Sequence, residues 1–333
     1  MLRVLFFSVL LTISNSLLSQ PVPAPSEHAP EGVDALEIQF FSVGCFKLKY
    51  GESAIFTDPF FTHIPLKKVL FGKVVPDPAQ IDPYLPELGD IDGTLVCHAH
   101  YDHILDFPYL SPKLPAHSPV IGSQTLKHTL APFKLPHPVM VVNETMAEPD
   151  KDGEWITLDD GNIRILPIKA GHPNHGWFVQ LWNNKVTEDL TEIPTKGKEW
   201  QEGVTLGFLI DFMKNEGQEI AYRIFFQSSS TPFPSGFVPQ HIIDQHPVNA
   251  ALLGMDFINM ELKGERNVMP YLAPEKVIFC HWEDFFKPKT VPPKKGLIKK
   301  LSKQIEEIKE NDKKGTEYIV PEWGAKYYLT PGN

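Results

Sequence analysis

Four side chains that can bind a metal ion lie within six consecutive positions of the chain. They are the side chains of His98, His100, Asp102 and His103. The apolar run Thr94–Cys97 leads into them and predicts a buried strand. Residues two apart share a face of an extended chain, so His98 and His100 should point to one side. Asp102 and His103 follow at a turn into a short helix. The string can therefore offer two imidazoles to one cation, and a carboxylate with an imidazole to a second.

Imidazole and carboxylate ligands, without a thiolate in the string, suit zinc, iron or manganese. A solvated histidine-rich loop is the alternative interpretation of the same residues. The metal site is favoured because the string directly follows an apolar strand.

The pattern His-x-His-x-Asp-His resembles the signature of the metallo-β-lactamase superfamily, and further motifs of that superfamily follow in order. The resemblance runs from about Leu36 to the end of the chain. It implies an α/β fold, a four-layer αββα sandwich of the metallo-β-lactamase type. An opening meander of alternating apolar residues, at Leu36–Ser42, Phe46–Tyr50 and Ala54–Pro59, agrees with this expectation.

The resemblance places a third ligand after a later strand. A hairpin around the turn 159–161 runs into two histidines, His172 and His175. In the superfamily, a histidine at the end of this strand completes a three-histidine site with His98 and His100. His172 matches by its position in the motif, whereas His175 is the alternative ligand or a substrate contact.

A second cation would use a ligand from the end of the chain. The apolar strand Lys276–Cys280 ends in His281, as the last metal-binding strand of the superfamily does. The resemblance implies that His281 joins Asp102 and His103. It also implies that Asp58, at the end of the third strand, supports the metal site by contacting a ligand and not the metal itself. A plain Asp-Pro turn is the alternative for Asp58.

One position departs from the superfamily pattern. The apolar strand that ends at Gln227 is normally followed by an aspartate that bridges two metals, but here Ser228 and Ser229 follow. Either serine could hold the degenerate bridging position. We therefore expect one or two zinc ions, with the second bound more weakly, and iron or manganese as alternatives. Without a second metal, Asp102 would be free to act as a catalytic base towards the attacking water.

The string that begins at His281, His-Trp-Glu-Asp-Phe-Phe, is most similar to one branch of the superfamily. This is the branch of the ascorbate-6-phosphate lactonases and the N-acylphosphatidylethanolamine phospholipase D-like enzymes. Aromatic residues beside the ligands, Trp177 and Trp282, are expected to contact substrate or to pack in the core. Glu283 and Asp284 are expected on a turn that faces solvent, with contact to a polar group of the substrate as the alternative.

The ends and composition of the chain limit the classes of partner. Residues 1–20 combine one positive charge with a short apolar core, which predicts a signal peptide or, alternatively, an uncleaved anchor. A Pro-rich linker, 21–34, then precedes one domain at 35–333. No later segment is apolar enough to span a membrane, so no integral membrane segment is expected after signal removal. The net charge of −10 argues against binding to nucleic acid.

The three cysteines, Cys45, Cys97 and Cys280, do not form a disulfide framework. They are expected as small buried apolar residues, although one pair could be bridged in an oxidising compartment.

These features predict a secreted or periplasmic hydrolase with a small-molecule or lipid substrate. Metal-bound hydroxide would attack a lactone, an ester or a phosphodiester, the last as in phospholipase D-like enzymes. The alternative is a metal-binding protein without hydrolytic activity, suggested by the serines at the bridging position.

Overall fold

Two seven-stranded mixed sheets form the centre of the protein. The computed structural model describes residues 24–173, 182–215, 217–290, 294–312 and 314–331. The predicted signal peptide lies outside these residues. In chain order the strands are β1 (Leu36–Ser42), β2 (Cys45–Tyr50), β3 (Ser53–Thr57), β4 (Ile91–Leu95), β5 (Val120–Gly122), β6 (Val139–Val141), β7 (Ile156–Leu158), β8 (Ile163–Lys169), β9 (Leu206–Lys214), β10 (Glu219–Gln227), β11 (Ala250–Gly254), β12 (Lys276–Cys280), β13 (Glu317–Ile319) and β14 (Lys326–Leu329).

Helices lie in the connections between the strands. In the described residues these are α1 (Leu66–Phe71), α2 (Pro78–Ile81), α3 (Tyr101–Ile104), α4 (Phe107–Leu110), α5 (Gln124–Leu130), α6 (Gln240–Asp244), α7 (Asp256–Leu262), α8 (Val268–Leu272) and α9 (Lys295–Asn311). Short 3₁₀ turns occur at Asp82–Tyr84, Ser111–Lys113, Ala131–Phe133, Asp159–Gly161 and Gly197–Glu199. None of the helices among the described residues combines the length and apolarity needed to cross a bilayer.

The strand order shows how the layers are built. The first sheet runs β14-β1-β2-β3-β4-β5-β6, and the second runs β13-β12-β11-β10-β9-β8-β7. Successive side chains of a strand point to opposite faces, so Phe40 lies in the apolar cluster shared with the second sheet, whereas Phe41 lies in a separate outer cluster. Helices α3, α4 and α5 contribute to that outer cluster, and α7, α8 and α9 pack with the second sheet. The predicted α/β sandwich with four αββα layers is confirmed.

Parallel pairing brings the ends of distant strands together. In the first sheet β3, β4, β5 and β6 are parallel neighbours, and in the second β10, β11, β12 and β13 are. Parallel strands present their carboxyl ends at one edge of a sheet, where ligands bind in open α/β folds. Asp58, His98, Ser228 and His281 all follow such strand ends.

Some predicted elements have different bounds in the structure. The strand that leads into the metal-binding string ends at Leu95 rather than Cys97. The short helix predicted at Asp102 and His103 is instead followed closely by a second one, so that α3 and α4 are separate, with Pro108 in the first turn of α4. A proline interrupts helical hydrogen bonding except in the first turn, which explains the break. All three cysteines are buried and free, so no disulfide forms between them.

A buried ion pair joins the central strands of the second sheet. Arg223 on β10 faces Asp211 on β9 across the ladder, with Nε 2.7 Å from Oδ1 and Nη2 2.9 Å from Oδ2. Both side chains are fully buried. Arg223 also donates to the carbonyl oxygen of Ile242 at 2.7 Å, and Arg164 reaches Asp211 from the neighbouring strand. Extra hydrogen bonds of this kind are what a desolvated ion pair requires.

Candidate metal centre

One group of three histidines could hold a metal ion. His98 and His100 follow β4, and His172 follows β8, three residues after that strand ends. One ring nitrogen from each lies within 4.8 Å of the other two. The ring centroids are 4.7 Å apart for His98 and His100, and 4.8 Å and 4.9 Å from each of these to His172.

Hydrogen bonds orient two of these rings. Nδ1 of His172 lies 2.9 Å from the carbonyl oxygen of Pro173, and Nε2 of His100 lies 3.3 Å from the carbonyl oxygen of Trp182. A ring nitrogen beside a carbonyl oxygen must donate, so in the neutral imidazole the other nitrogen keeps its lone pair. Each ring is thus set to offer one nitrogen as a ligand.

A second group contains a carboxylate. Asp102 and His103 lie in α3, and His281 follows β12. Oδ2 of Asp102 lies 3.6 Å from Nε2 of His103 and 3.4 Å from Nε2 of His281. The ligand atoms of this group also lie within 4.8 Å of one another. The ring centroids of His98 and His103 are only 3.9 Å apart, so the two groups adjoin.

The buried nitrogens of these groups fit a cation. Neither ring nitrogen of His98 and not Nε2 of His103 has a hydrogen-bond partner among the described residues, although both side chains are fully buried. Burial of an unpaired polar atom is costly, and coordination of a cation would remove that cost. Burial, followed by the neighbouring imidazoles, holds the pKa of His98 well below its usual value, so this ring is neutral and able to bind metal.

In the second group, Asp102 and His281 shift each other's pKa values strongly. Burial opposes the charged forms of its members, but their mutual attraction outweighs it. The hydrogen bond and charge of Asp102 raise the pKa of His281 to about 9, and the two histidines hold the pKa of Asp102 well below its usual range. Asp102 is therefore a carboxylate at neutral pH, and a cation bound here would displace a proton from His281.

A hydrogen bond from His103 to Asp58 orients the imidazole ring. Oδ2 of Asp58 lies 2.7 Å from Nδ1 of His103, and Oδ1 accepts from the backbone N–H of Cys97 at 2.7 Å. Since Nδ1 must donate to the carboxylate, Nε2 of His103 carries the lone pair and faces the second group. The structure thus puts Asp58 in contact with the candidate ligand His103, and a plain Asp-Pro turn does not describe it.

Ser228 is the serine that reaches this network. Its hydroxyl group donates to Oδ2 of Asp58 at 2.7 Å and lies 3.4 Å from Nδ1 of His103. Ser229 contributes its backbone carbonyl oxygen, which accepts from the Gln227 side chain. The hydroxyl of Ser228 therefore binds the aspartate behind the ligand, where the resemblance leads us to expect a bridging carboxylate.

Gly44 is a part of the centre that the sequence did not single out. A Cβ atom at this position would collide with Oδ2 of Asp58 and approach Cβ of Ser228 to 2.9 Å. Only glycine allows the β1–β2 turn to pass this close to the network. A glycine beside Cys45 is a weak signal, because most turns between antiparallel strands contain one.

A hydrogen-bond chain behind His281 was also missed. The backbone N–H of His281 donates to the carbonyl oxygen of Val43 at 2.9 Å, and the N–H of Val43 donates to Oε1 of Glu283 at 2.6 Å. Ser42 lies between Glu283, at 3.1 Å, and Nε2 of His63, at 2.8 Å. Glu283 is buried, so its predicted position on a solvent-facing turn is wrong.

An apolar cavity opens beside both groups. Its volume is about 440 Å³, enough for a drug-sized molecule. Ligand residues and apolar side chains share its walls: Leu66, Val69, Leu70, His100, Tyr101, Asp102, His172, Trp182, His281, Phe285 and Phe286.

The aromatic residues predicted near the ligands have different positions. Trp282 is 3% exposed and stacks on Trp323, with ring centroids 6.2 Å apart, so it belongs to the packing rather than to the cavity wall. Phe285 and Phe286, which follow in the same string, lie on the cavity wall. His175 and Trp177 lie outside the described residues.

The family described as "Beta-lactamase superfamily domain" matches residues 54–223, half of the chain. The chain belongs to this family. The matched range contains the first ligand group and the first two ligands of the second. A comparison with curated protein sequences gave no match.

Solved structures with the same fold are distant in sequence. Igni18, a metallo hydrolase from the archaeon Ignicoccus hospitalis, is 16% identical with a TM-score of 0.52, over 89% of this chain and 98% of that one. An isothiocyanate hydrolase from Delia radicum gut bacteria is 10% identical with a TM-score of 0.51, over 88% and 99%. A protein from Veillonella parvula, titled a possible metal-dependent hydrolase, is 13% identical with a TM-score of 0.50, over 89% and 100%. At these identities the similarity shows the fold.

Proposed function

We propose that this protein is a metal-dependent hydrolase of a neutral ester or lactone that carries an apolar substituent. The observation that carries the proposal is that two groups of three ligands, His98, His100 and His172 with Asp102, His103 and His281, adjoin a single apolar cavity. Membership of the beta-lactamase superfamily, and the hydrolase names of proteins with this fold, support it.

The donor set favours zinc in the three-histidine group, with iron or manganese as alternatives. A divalent cation bound there would supply Lewis acidity, which polarises a carbonyl group and makes water more acidic. The second group contains the carboxylate of Asp102, but position 228 adds no further carboxylate. This group would therefore hold a second cation less tightly.

Asp102 is the residue we assign to proton transfer. It is the only carboxylate among the described residues that line the cavity, and it is ionised at neutral pH. A carboxylate in this position can accept a hydrogen bond from water, orient it and hold its proton. Nε2 of His281, 3.4 Å from Oδ2, keeps that oxygen in place.

The cavity wall indicates the kind of substrate. Leu66, Val69, Leu70, Phe285 and Phe286 supply apolar surface, and no lysine or arginine occurs among the described residues that line it. A phosphate or carboxylate group of a substrate would therefore have no lysine or arginine to pair with there. This favours neutral esters and lactones over a phosphodiester, although phospholipase D-like cleavage remains the alternative within the branch named above. The predicted signal peptide supports a secreted or periplasmic location.

The second candidate is a metal-binding protein without hydrolytic activity. Ser228 favours it, because a serine replaces the expected bridging carboxylate and its hydroxyl is engaged with Asp58.

A substrate panel with controlled metal content separates the two candidates. The purified full chain is stripped with chelator, reloaded with zinc, iron or manganese, and assayed on acyl nitrophenyl esters of increasing chain length, on lactones and on an aryl phosphodiester. We expect metal-dependent turnover that rises with acyl length and disappears in His98→Ala. His128→Ala serves as the matched control, since that histidine bonds to Gln124 and Asp189 away from the cavity. Metal binding without turnover of any substrate would support the second candidate.

A further inference from the structure

Exposed apolar side chains are concentrated beside the mouth of the cavity. Eight large hydrophobic residues are exposed in the described part of the chain, and four of them lie in two short segments, residues 65–75 and 193–198. These four are Leu66 at 48%, Phe71 at 83%, Val75 at 41% and Ile193 at 51%. Single exposed apolar residues are common on protein surfaces, but clustered ones mark interaction sites.

The two segments form one surface, here called the docking face. The backbone N–H of Val74 donates to the carbonyl oxygen of Thr195 at 2.8 Å. Gly197 packs against Val69, and a Cβ atom there would lie 2.7 Å from the Val69 carbonyl oxygen. Helix α1 thus contributes Val69 and Leu70 to the cavity wall, while Phe71 next to them faces outward.

The docking face is basic in a chain that is acidic. It carries five exposed lysines, Lys67, Lys68, Lys73, Lys196 and Lys198, and no aspartate or glutamate within its two segments. Asp77, Glu192 and Glu199 flank it. The carboxylate of Asp77 accepts from the backbone N–H of Ala79 and the side chain of Gln80, and a carboxylate oxygen of Glu199 accepts from the backbone N–H groups of Thr195 and Lys196. The whole chain has a net charge of −10, so this local excess of positive charge is a contrast with the rest of the surface.

We propose that the docking face binds the surface of an anionic lipid bilayer and that the apolar cavity receives its substrate from that surface. Lysines pair with anionic headgroups while exposed apolar and aromatic side chains enter the boundary with the acyl chains. Leu66 is both exposed and part of the cavity wall, which makes the docking face continuous with the cavity. Docking follows from the surface itself. Only the entry of substrate rests on the proposed function.

A probe placed on the docking face reports its contact with lipid. The cysteines of the chain are buried, and burial raises the pKa of each thiol above its usual value, so they react poorly with a labelling reagent. Val75→Cys in the full chain can therefore carry an environment-sensitive fluorophore. Leu262→Cys, of similar exposure and located in α7, carries the same fluorophore as the matched control. A predicted membrane anchor at the N-terminus would act on both labelled proteins alike.

We expect the fluorophore at position 75 to shift to the blue with vesicles of phosphatidylcholine and phosphatidylglycerol, and the fluorophore at 262 to remain unchanged. Phosphatidylcholine alone should give little shift, and added salt should weaken binding. Lys67→Gln/Lys68→Gln should reduce the apparent affinity about thirtyfold, because each lysine near an anionic surface contributes roughly 1 kcal/mol. Lys299→Gln/Lys300→Gln, an exposed pair on α9, should leave it unchanged.

The absence of a shift at position 75, or an equal shift at 262, would overturn the proposal. So would self-association of the chain without vesicles that Phe71→Ser abolishes, since the docking face would then bind a second copy. The His98→Ala variant keeps the test independent of catalysis. It should bind vesicles normally without turnover, whereas a protein that hydrolyses esters but shows no shift would retain the proposed function and lose only this inference.

Discussion

The hydroxyl group of Ser228 donates a 2.7 Å hydrogen bond to Oδ2 of Asp58, the same oxygen that lies 2.7 Å from Nδ1 of His103. A serine therefore completes the support of His103, a candidate metal ligand, at the place where the superfamily pattern has a carboxylate. The two ligand groups adjoin, yet position 228 supplies no negative charge between them. This relationship leads to the first prediction.

Ser228→Asp should destabilise the metal-free protein and make its stability depend more strongly on metal. A second buried carboxylate beside Asp58 is repelled by it and leaves an acceptor without a donor, at a cost of about 1–3 kcal/mol. A bound cation would offset that repulsion. Chemical denaturation with chelator and with zinc measures both effects. Ser228→Ala, which removes only the hydroxyl group, is the control, and equal metal-free stability of the aspartate variant and the wild type would contradict the prediction.

Asp58→Asn should weaken metal binding at the second group by about 10–100-fold, because loss of a carboxylate behind a histidine ligand frees its ring and tautomer. The three-histidine group should keep its affinity. Competition with a chromogenic chelator gives both constants. Asp92→Asn is the matched control, since that carboxylate accepts from the backbone N–H of Ala54 away from the centre. Unchanged affinities in Asp58→Asn would show that this hydrogen bond is dispensable.

His172→Ala and His281→Ala should each remove a different equivalent of metal. The first variant loses the tightly bound ion of the three-histidine group, and the second loses the weaker one that Asp102 and His103 would share. Elemental analysis after dialysis against a range of free zinc concentrations measures the stoichiometry. If His281→Ala kept every equivalent of the wild type, His281 would not be a ligand.

Lys289 should make the protein more stable as the pH rises through the alkaline range. Burial lowers the pKa of this side chain from 10.5 to about 8, although nearby acidic groups oppose the shift. The unfolded chain then binds more protons between pH 8 and 10.5, so the free energy of unfolding increases with pH in that window. Lys289→Met should remove this increase and be more stable at neutral pH. Denaturation curves across the window, with exposed Lys113→Met as the control, test the sign.

Arg223→Met should lower the free energy of unfolding by about 3–5 kcal/mol, because it leaves the buried charge of Asp211 without its main partner. Arg164→Met should cost less, since Arg164 is one-third exposed and makes a single contact with the same carboxylate. Guanidinium denaturation of the two variants compares them directly. Equal losses would mean that Asp211 relies on both arginines alike.

The fold and the convergence of the candidate ligands could be predicted because their signals are local. His98, His100, Asp102 and His103 stand directly after an apolar strand, and His281 ends another. Alternation of apolar residues fixes which strands exist and which faces are buried. A fold with parallel strands then leaves one edge at which such residues can meet.

The residues that position the candidate ligands could not be predicted from local sequence patterns. Glu283 accepts a hydrogen bond from the backbone N–H of Val43, which is 240 positions away in the sequence. An acidic residue between aromatic residues gives no signal of such a partner, and solvent exposure was the natural expectation. Helix α1 could not be predicted either, because the connection between β3 and β4, from Phe60 to Leu88, is rich in proline and has no sustained apolar period.

The backbone of His281 has a left-handed φ of 57°, which few residues other than glycine, asparagine and aspartate adopt readily. Exchange of this ligand is therefore restricted before any metal is considered. An aspartate could take both the backbone shape and the coordinating role, whereas a cysteine would strain the chain. Attempts to retune the centre for a different metal should begin with a carboxylate at this position.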